Sequence, residues 1–429
     1  MPSLRALLER LRHPESFLGP VLTLVSGTAV AHFITAGALV ILTRLYSPAE
    51  FGVLGMFTAI FFSVSVVSCL RFDIAIPLPR EERDAVSLVG LSMLSALGVA
   101  AVAGLLIAIV PDALLDAAGM RSVGPHLWLL PIALLAAGMF SSVQAWFVRQ
   151  RNYGGMARAR AAQSFGAAAT QIAAGGAGIG PVGLILGVVL NAGTGAIIMA
   201  RSFLSRIKQA GGWSTPHQLR TAAIQYRRFP IYSTWEALAN SMAVQIPILV
   251  VAGLTNTSEV GQLMMAMNVV QAPLALFGTA TAQVYLSQAP AKAHEGDLRP
   301  FTIKTIANLL RVGTPLMLAI GVVSPFAFPL LFGPEWQRAG ILVAWMAPWL
   351  LLQFAYGPVS MTFHILGRQR LALVLQIGGL CLRAGVTYAG GMMLAGRAGE
   401  FYALSGALFY ALGLLTVFTA LRPTIGIEK

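Results

Sequence analysis

The ionisable side chains inside apolar runs are the ones whose chemistry must be accounted for first. Arg383 stands near the centre of the apolar run 371–395. A guanidinium at that depth costs roughly 2.5–3.5 kcal/mol on insertion scales, so it is usually turned inward and functional. Three readings are open to it: an anionic ligand group, an ion pair with Glu236, or snorkelling to the interface. Glu236 lies near the start of the run 231–252, shallower than Arg383 by roughly 12 Å at 1.5 Å per residue. It shares a helical face with Asn240. Such a carboxylate is either a protonatable coupling group, since low dielectric favours the neutral acid, or an interfacial acid beside Arg227 and Arg228. His32 forms a polar stripe with Thr28 and Thr35, which suits either a satisfied packing residue or a switch. Arg71 and Asp73 end the second apolar run, as a surface pair or as an entry point for a charged group. Arg44 ends the first run, as an anchor or as a receiver of an anion.

No set of residues has the spacing of a catalytic or metal centre. There is no His-x-x-x-His and no Ser/His/Asp group near an apolar boundary. Gly178-Ile179-Gly180-Pro181-Val182-Gly183 matches G-x-G-x-x-G by letter, but no strand precedes it, so a nucleotide loop is rejected. Gly183 and Gly187 are better read as close-approach positions between helices. No catalytic residue, cofactor or metal is expected, and the chain is read as a non-enzyme.

The elements that must hold these side chains follow from composition. Of 429 residues, 57% are hydrophobic and 10% charged, with a mean hydropathy of +0.75. A soluble chain has about 25% charged residues, so a soluble enzyme, a disordered chain and a nucleic-acid binder are all excluded, despite a net charge of +13. Cys69 and Cys381 lie in apolar runs far apart, which argues against a disulfide framework.

Twelve apolar runs of membrane-spanning length are present, near 18–43, 51–70, 86–110, 126–148, 159–177, 181–200, 231–252, 259–283, 306–332, 339–363, 371–395 and 400–421. The Ala- and Gly-rich run 159–177 is the least apolar of them. Lys and Arg alternate between the connecting segments: twenty-four fall on the side of the N-terminus, and only Arg44, Arg121, Arg338 and Arg397 on the other. By the positive-inside rule both termini are cytoplasmic. Within the first 17 residues Leu4, Leu7, Leu8 and Leu11 share a face, as in an amphipathic helix lying on the inner leaflet. Ala29-Val30-Ala31 resembles a signal-peptide cleavage site, but the apolar run continues to Thr43 and is read as a span.

The halves repeat. Ala49-Glu50-Phe51-Gly52 is echoed by Ser258-Glu259-Val260-Gly261, Trp128-Leu129-Leu130-Pro131 by Trp345-Met346-Ala347-Pro348, and Arg149-Gln150-Arg151 by Arg368-Gln369-Arg370. The offsets of 209, 217 and 219 correspond to six helices, an even number, so the repeat is parallel. The expected architecture is an all-α polytopic membrane protein with an amphipathic segment 1–17, a six-helix lobe 18–206, a cytoplasmic linker 207–230 and a second six-helix lobe 231–429.

With these motifs in view the sequence resembles the Wzx-type polysaccharide flippases of the multidrug/oligosaccharidyl-lipid/polysaccharide exporter superfamily. The resemblance is carried by the stretch Thr43 to Gly52, by Leu70-Arg71-Phe72-Asp73-Ile74-Ala75-Ile76-Pro77-Leu78-Pro79, and by Phe229-Pro230-Ile231-Tyr232 with Asn240 and Gln245-Ile246-Pro247. Gly333-Pro334-Glu335-Trp336, Ala347-Pro348-Trp349 and Gly367-Arg368-Gln369-Arg370 carry it in the second half. Asp73 stands where the family more often has Glu, His32 where Gln is common, and the proline late in the first helix is absent. The resemblance implies transfer of undecaprenyl-pyrophosphate-linked oligosaccharide units across a bacterial cytoplasmic membrane for O-antigen, capsule or exopolysaccharide synthesis. Its partners would be the lipid-linked oligosaccharide, membrane lipids and polysaccharide assembly proteins, with no nucleic acid, and the chain acting as a monomer by alternating access. The alternatives are a cation-coupled drug or metabolite exporter of the same superfamily, which calls for an acidic site, and a membrane-embedded glycan polymerase or ligase, which calls for a large external loop.

Overall fold

A computed structural model describes residues 18–421 apart from 210, 367 and 395. The amphipathic segment expected over 1–17 lies outside the described residues. The described chain is built of helices, with no strand among them. Twelve are long: α1 (Leu18–Leu45), α2 (Pro48–Ser65), α3 (Glu82–Ile109), α4 (Leu129–Arg149), α5 (Tyr153–Gly176), α6 (Pro181–Gln209), α7 (Thr234–Leu254), α8 (Thr257–His294), α9 (Leu298–Phe332), α10 (Gln337–Val359), α11 (Gln369–Met393) and α12 (Ala398–Ala420). They coincide with the twelve apolar runs. In hydrocarbon every backbone N–H and C=O must be satisfied within its own segment, and helices do this. Among the described residues, all but α1, α5 and α8 contain a stretch long and apolar enough to cross a membrane by length and composition.

The chain forms two compact units. The first comprises residues up to Tyr46, Ile60–Leu115 and Val123–Ser241. Within it α5 packs between α1 and α6, α6 continues onto α4, and α4 onto α3. The small residues of α5 explain its low hydropathy: it is a packing helix more than a lipid-facing one. A Cβ on Gly175 would lie 2.7 Å from the Tyr46 ring. On the facing helix α6, a Cβ on Gly183 would lie 2.5 Å from Ala174, and one on Gly187 2.3 Å from Gln171. Both glycines read as close-approach positions are therefore just that. Amide side chains then join the helices: Gln163 Nε2 donates to the Asn191 carbonyl at 2.7 Å, and Gln171 Nε2 to the Leu184 carbonyl at 3.0 Å. Tyr46 Oη donates to the Gln171 carbonyl at 2.8 Å. Toward the Arg-rich ends, Trp146, Phe147, Phe203, Val86, Leu88 and Met156 form an apolar core.

The second unit comprises Ser47–Ala59, Asp116–Ser122 and Met242–Lys429. Here α10 is central, packed on α8, α9 and α12, and α11 lies on α12. The first turns of α2 and α8 cross at backbone contact. A Cβ on Gly52 would fall 1.8 Å from the Thr257 carbonyl oxygen, and one on Gly261 1.8 Å from the Pro48 carbonyl oxygen. Pro48 and Thr257 are related by the same 209-residue offset as Gly52 and Gly261. The contact is thus reciprocal, each repeat motif supplying the glycine for the other's carbonyl. Sequence duplication has become a local two-fold.

The crossing predicts a severe penalty for any side chain there. Replacing Gly261 by Val forces two backbones apart, and we expect a loss of about 3 kcal/mol, the upper end for overpacking, read as a lower thermal midpoint of the detergent-solubilised protein. Ala at Gly37, which has open space around it, is expected to leave the midpoint unchanged.

Candidate functional site

Arg383 occupies the middle of α11, a 25-residue helix, and is 5% exposed. Its guanidinium carbon lies 5.1 Å from the centre of the Trp349 ring and 5.2 Å from that of Tyr402. The two rings meet edge to face, 5.3 Å apart at 81°. Both rings are almost wholly buried, and Tyr402 Oη is 3.7 Å from Met267 Sδ. Among the described residues the Nε and Nη2 atoms of Arg383 have no hydrogen-bond partner. No carboxylate pairs with Arg383 among the described residues. The π faces stabilise this cation by roughly 2 kcal/mol or more when desolvated, yet they leave its charge uncompensated.

A register between two helices builds the cage. On α12, Gly399, Gly406 and Gly413 recur every seven residues, and a Cβ on them would meet Leu342 at 2.8 Å, Trp349 at 2.5 Å and Tyr356 at 2.7 Å. Those three residues recur every seven along α10. The two helices run parallel, with large side chains of one seated on the glycines of the other, the 3.5-residue seam of a left-handed pair. Gly406 is what lets the Trp349 indole lie flat against α12 and reach Arg383 from beside Tyr402. The heptad-spaced glycines were visible in the sequence, but only their facing partners show which ring they admit.

A second charged cluster escaped the sequence reading. Arg338, counted there as a loop cation, sits in the first turn of α10 and binds two acids. Its Nε lies 3.1 Å from both oxygens of Glu259, and its Nη2 2.7 Å from Oε1. Glu400 accepts from Nη1 and Nη2, both at 2.7 Å. Glu259 and Glu400 belong to the first turns of α8 and α12, where the helix dipole favours negative charge. Next to it Gln262 donates to the Glu335 carbonyl at 2.6 Å and accepts from the Ala339 N–H at 2.9 Å. The N-termini of α8, α10 and α12 are therefore tied by one guanidinium and one carboxamide.

The remaining sequence-predicted residues all lie in the first unit. Arg44 is exposed at the end of α1, and His32 is half-buried on the same helix. Arg71 adopts a left-handed backbone conformation, φ 63°, with its Nε lacking a partner. Its neighbour Asp73 accepts from Ser141 Oγ at 2.6 Å and makes no ion pair among the described residues, while its other oxygen is unpartnered. Glu236 and Asn240 are exposed on α7, with Glu236 in its first turn. Arg383 is the one member of the set in the second unit.

The fold is similar to that of several solved membrane transporters. The structure of "Lipid II flippase MurJ, inward closed conformation" superposes with a TM-score of 0.71 at 12% identity, covering 94% of this chain and 87% of that one. A eukaryotic MATE transporter, AtDTX14, gives 0.58 at 14% identity over 95% and 98% of the two chains. An inward-facing multidrug resistance MATE family transporter of the MOP superfamily gives 0.55 at 15% identity over 98% and 99%. No curated protein matches the sequence. Residues 41–340 match the family described as "Polysaccharide biosynthesis protein", and the chain belongs to that family, as its resemblance to Wzx-type flippases implied.

The Arg338 cluster generates a stability prediction. Arg338→Gln leaves two half-buried carboxylates without their cation, and we expect a loss of about 2–4 kcal/mol, discounted for partial exposure from the value for buried pairs. The thermal midpoint of the purified protein should fall, and adding Glu400→Gln should restore part of it.

Proposed function

We propose that this multi-pass membrane protein is a flippase that moves undecaprenyl-pyrophosphate-linked oligosaccharide repeat units from the inner to the outer leaflet of a bacterial cytoplasmic membrane. The observation that carries this reading is the match to the polysaccharide biosynthesis family over residues 41–340. The buried Arg383 supports it. A drug or metabolite exporter that takes cations needs an acid at depth, whereas the charge at depth here is a cation whose Nε and Nη2 have no partner among the described residues. A pyrophosphate is the anionic part of the proposed substrate, and charge-assisted hydrogen bonds to a guanidinium suit phosphate oxygens. The isoprenoid tail stays in lipid throughout. A polymerase or ligase is disfavoured because no connection between the described helices is long enough to form an external domain.

On this reading the lobes alternate access, both termini are cytoplasmic, and a single chain suffices. The two lobes are residues 18–206 and 231–429, with 207–230 linking them. Arg383 contacts the pyrophosphate once the Trp349–Tyr402 cage opens. Arg71 receives the headgroup on entry, Arg44 on exit, and Glu236 with Asn240 couples the cycle to protons. His32 lines the same path. Polysaccharide assembly proteins take the product on the outer side.

A deletion strain tests the function directly. Lipid-linked oligosaccharide should accumulate on the inner leaflet with loss of surface polysaccharide, whereas an unchanged leaflet distribution would point to the exporter reading. In the complemented strain Arg383→Ala should reduce transfer about 10- to 100-fold, the worth of one hydrogen bond to a charged group, at normal protein level. Arg383→Lys should retain more activity than Ala. For coupling, Glu236→Gln should flatten the pH dependence of transfer; an unaltered profile would remove Glu236 from the mechanism.

A further inference from the structure

At the Arg-rich ends of α4 and α6 the first unit holds a cleft of about 330 Å³, walled by Gln150, Arg151 and Asn152 on one side and Ser202 and Arg206 on the other, with Trp146 below. This volume is at the lower end of the range for small-ligand sites. Its two charged residues are both arginines, and the remaining polar groups are able to donate. Asn152 Oδ1 accepts from the Gly155 N–H at 3.0 Å, capping α5, and its carboxamide offers a ligand two N–H donors. Trp146 is fully buried and its Nε1 has no acceptor. Gln150 Nε2 also donates to Glu82 Oε1 at 3.4 Å.

Arg151 is held there at a cost. It adopts φ 54°, one of three non-glycine residues in the left-handed region among the described residues. Such a conformation costs about 1–2 kcal/mol for a residue with a Cβ, and glycine or asparagine would relieve it. Strain of this kind clusters where a side chain is being aimed. The connection that imposes it is short and doubly fixed. Arg149 donates to the Pro79 carbonyl at 2.6 Å and to the Arg80 carbonyl at 3.3 Å, while Asn152 caps the next helix. The result is a rigid turn that presents one arginine opposite another.

We propose that this cleft is a binding site for a phosphate group at the membrane surface, separate from Arg383 and independent of the transport reading. Two sources carry that chemistry: the headgroup of an anionic phospholipid and a soluble phosphate or pyrophosphate.

The test uses the full chain purified in detergent, probed in two arms. One is titration with phosphatidylglycerol against phosphatidylcholine, with bound lipid counted by native mass spectrometry. The other is titration with inorganic pyrophosphate, followed by tryptophan fluorescence with Trp146→Phe as the reference. Arg151→Asn with Arg206→Gln removes both charges while keeping a residue that tolerates the turn. Should that double variant be poorly folded, Arg206→Glu alone reverses charge at an exposed position and is read in the same way. Each arginine lost should weaken binding about fivefold, and Arg299→Gln, an exposed arginine in the other unit, should not. A loss in the phosphatidylglycerol arm assigns the site to a lipid headgroup, and a loss in the pyrophosphate arm to a soluble phosphate; either upholds it. No preference for either probe over phosphatidylcholine, or equal losses in Arg299→Gln, would overturn it.

Discussion

A charge in hydrocarbon must be neutralised, solvated or used, and this constraint organises the chain at every scale. It keeps the charged residues to 10% and sends most arginines to the segments on one side of the spans. It also separates the two arginines that matter most within the second unit. Arg338 is matched by two carboxylates in bidentate geometry at the start of three helices. Arg383 is matched by two aromatic faces and, among the described residues, no acid. The same residue type is thereby a tie in one place and an open valence in the other.

Those arrangements depend on how closely helices approach, and glycine decides that. In membranes no hydrophobic force drives helices together, so packing contact itself must supply the association. At the α2–α8 crossing the backbones touch because Gly52 and Gly261 lack side chains. Along α10 and α12 the glycines instead receive large side chains at heptad spacing, which places the Trp349 indole. One use brings chain to chain, the other makes room for a ring. The reciprocal Gly52–Thr257 and Gly261–Pro48 contacts also give a physical reason for a duplicated motif to keep its spacing: each copy fits only the other's backbone.

The helices were legible in the sequence because hydrocarbon leaves so few options; each of the twelve apolar runs lies in a long helix, though α6, α8 and α9 extend some eight to eleven residues beyond theirs at one end. The Ala-rich run 159–177 is helical as α5 but is not apolar enough by composition to count as a span, and its small residues pack against α6. The charged sites were less legible. Arg383 was evident from depth alone, but its cage was not, because nothing in the spacing of Trp349 and Tyr402 marks them until the α10–α12 register brings them to it. Arg338 was misread as a loop cation, since its partners Glu259 and Glu400 are 79 and 62 residues away in sequence. Arg71 and Asp73, read as a possible pair, are positioned by a left-handed backbone and by Ser141 respectively, neither of which leaves a mark in local spacing.

What distinguishes a binding arginine from a structural one is whether its partner can yield. A carboxylate bound to Arg383 would have neutralised it, and an incoming phosphate would then have to displace a buried anion, leaving that anion unpaired at several kcal/mol. Aromatic faces stabilise a guanidinium through a quadrupole and carry no net charge, so an anion can add to the unused N–H edge while the cation–π contacts persist. A caged but unneutralised cation can therefore be kept in the fold between ligands, yet gains most when an anion arrives. For the proposed substrate this favours recognition of its charged pyrophosphate over its sugars. A site of that kind tolerates variation in the glycan while insisting on the carrier.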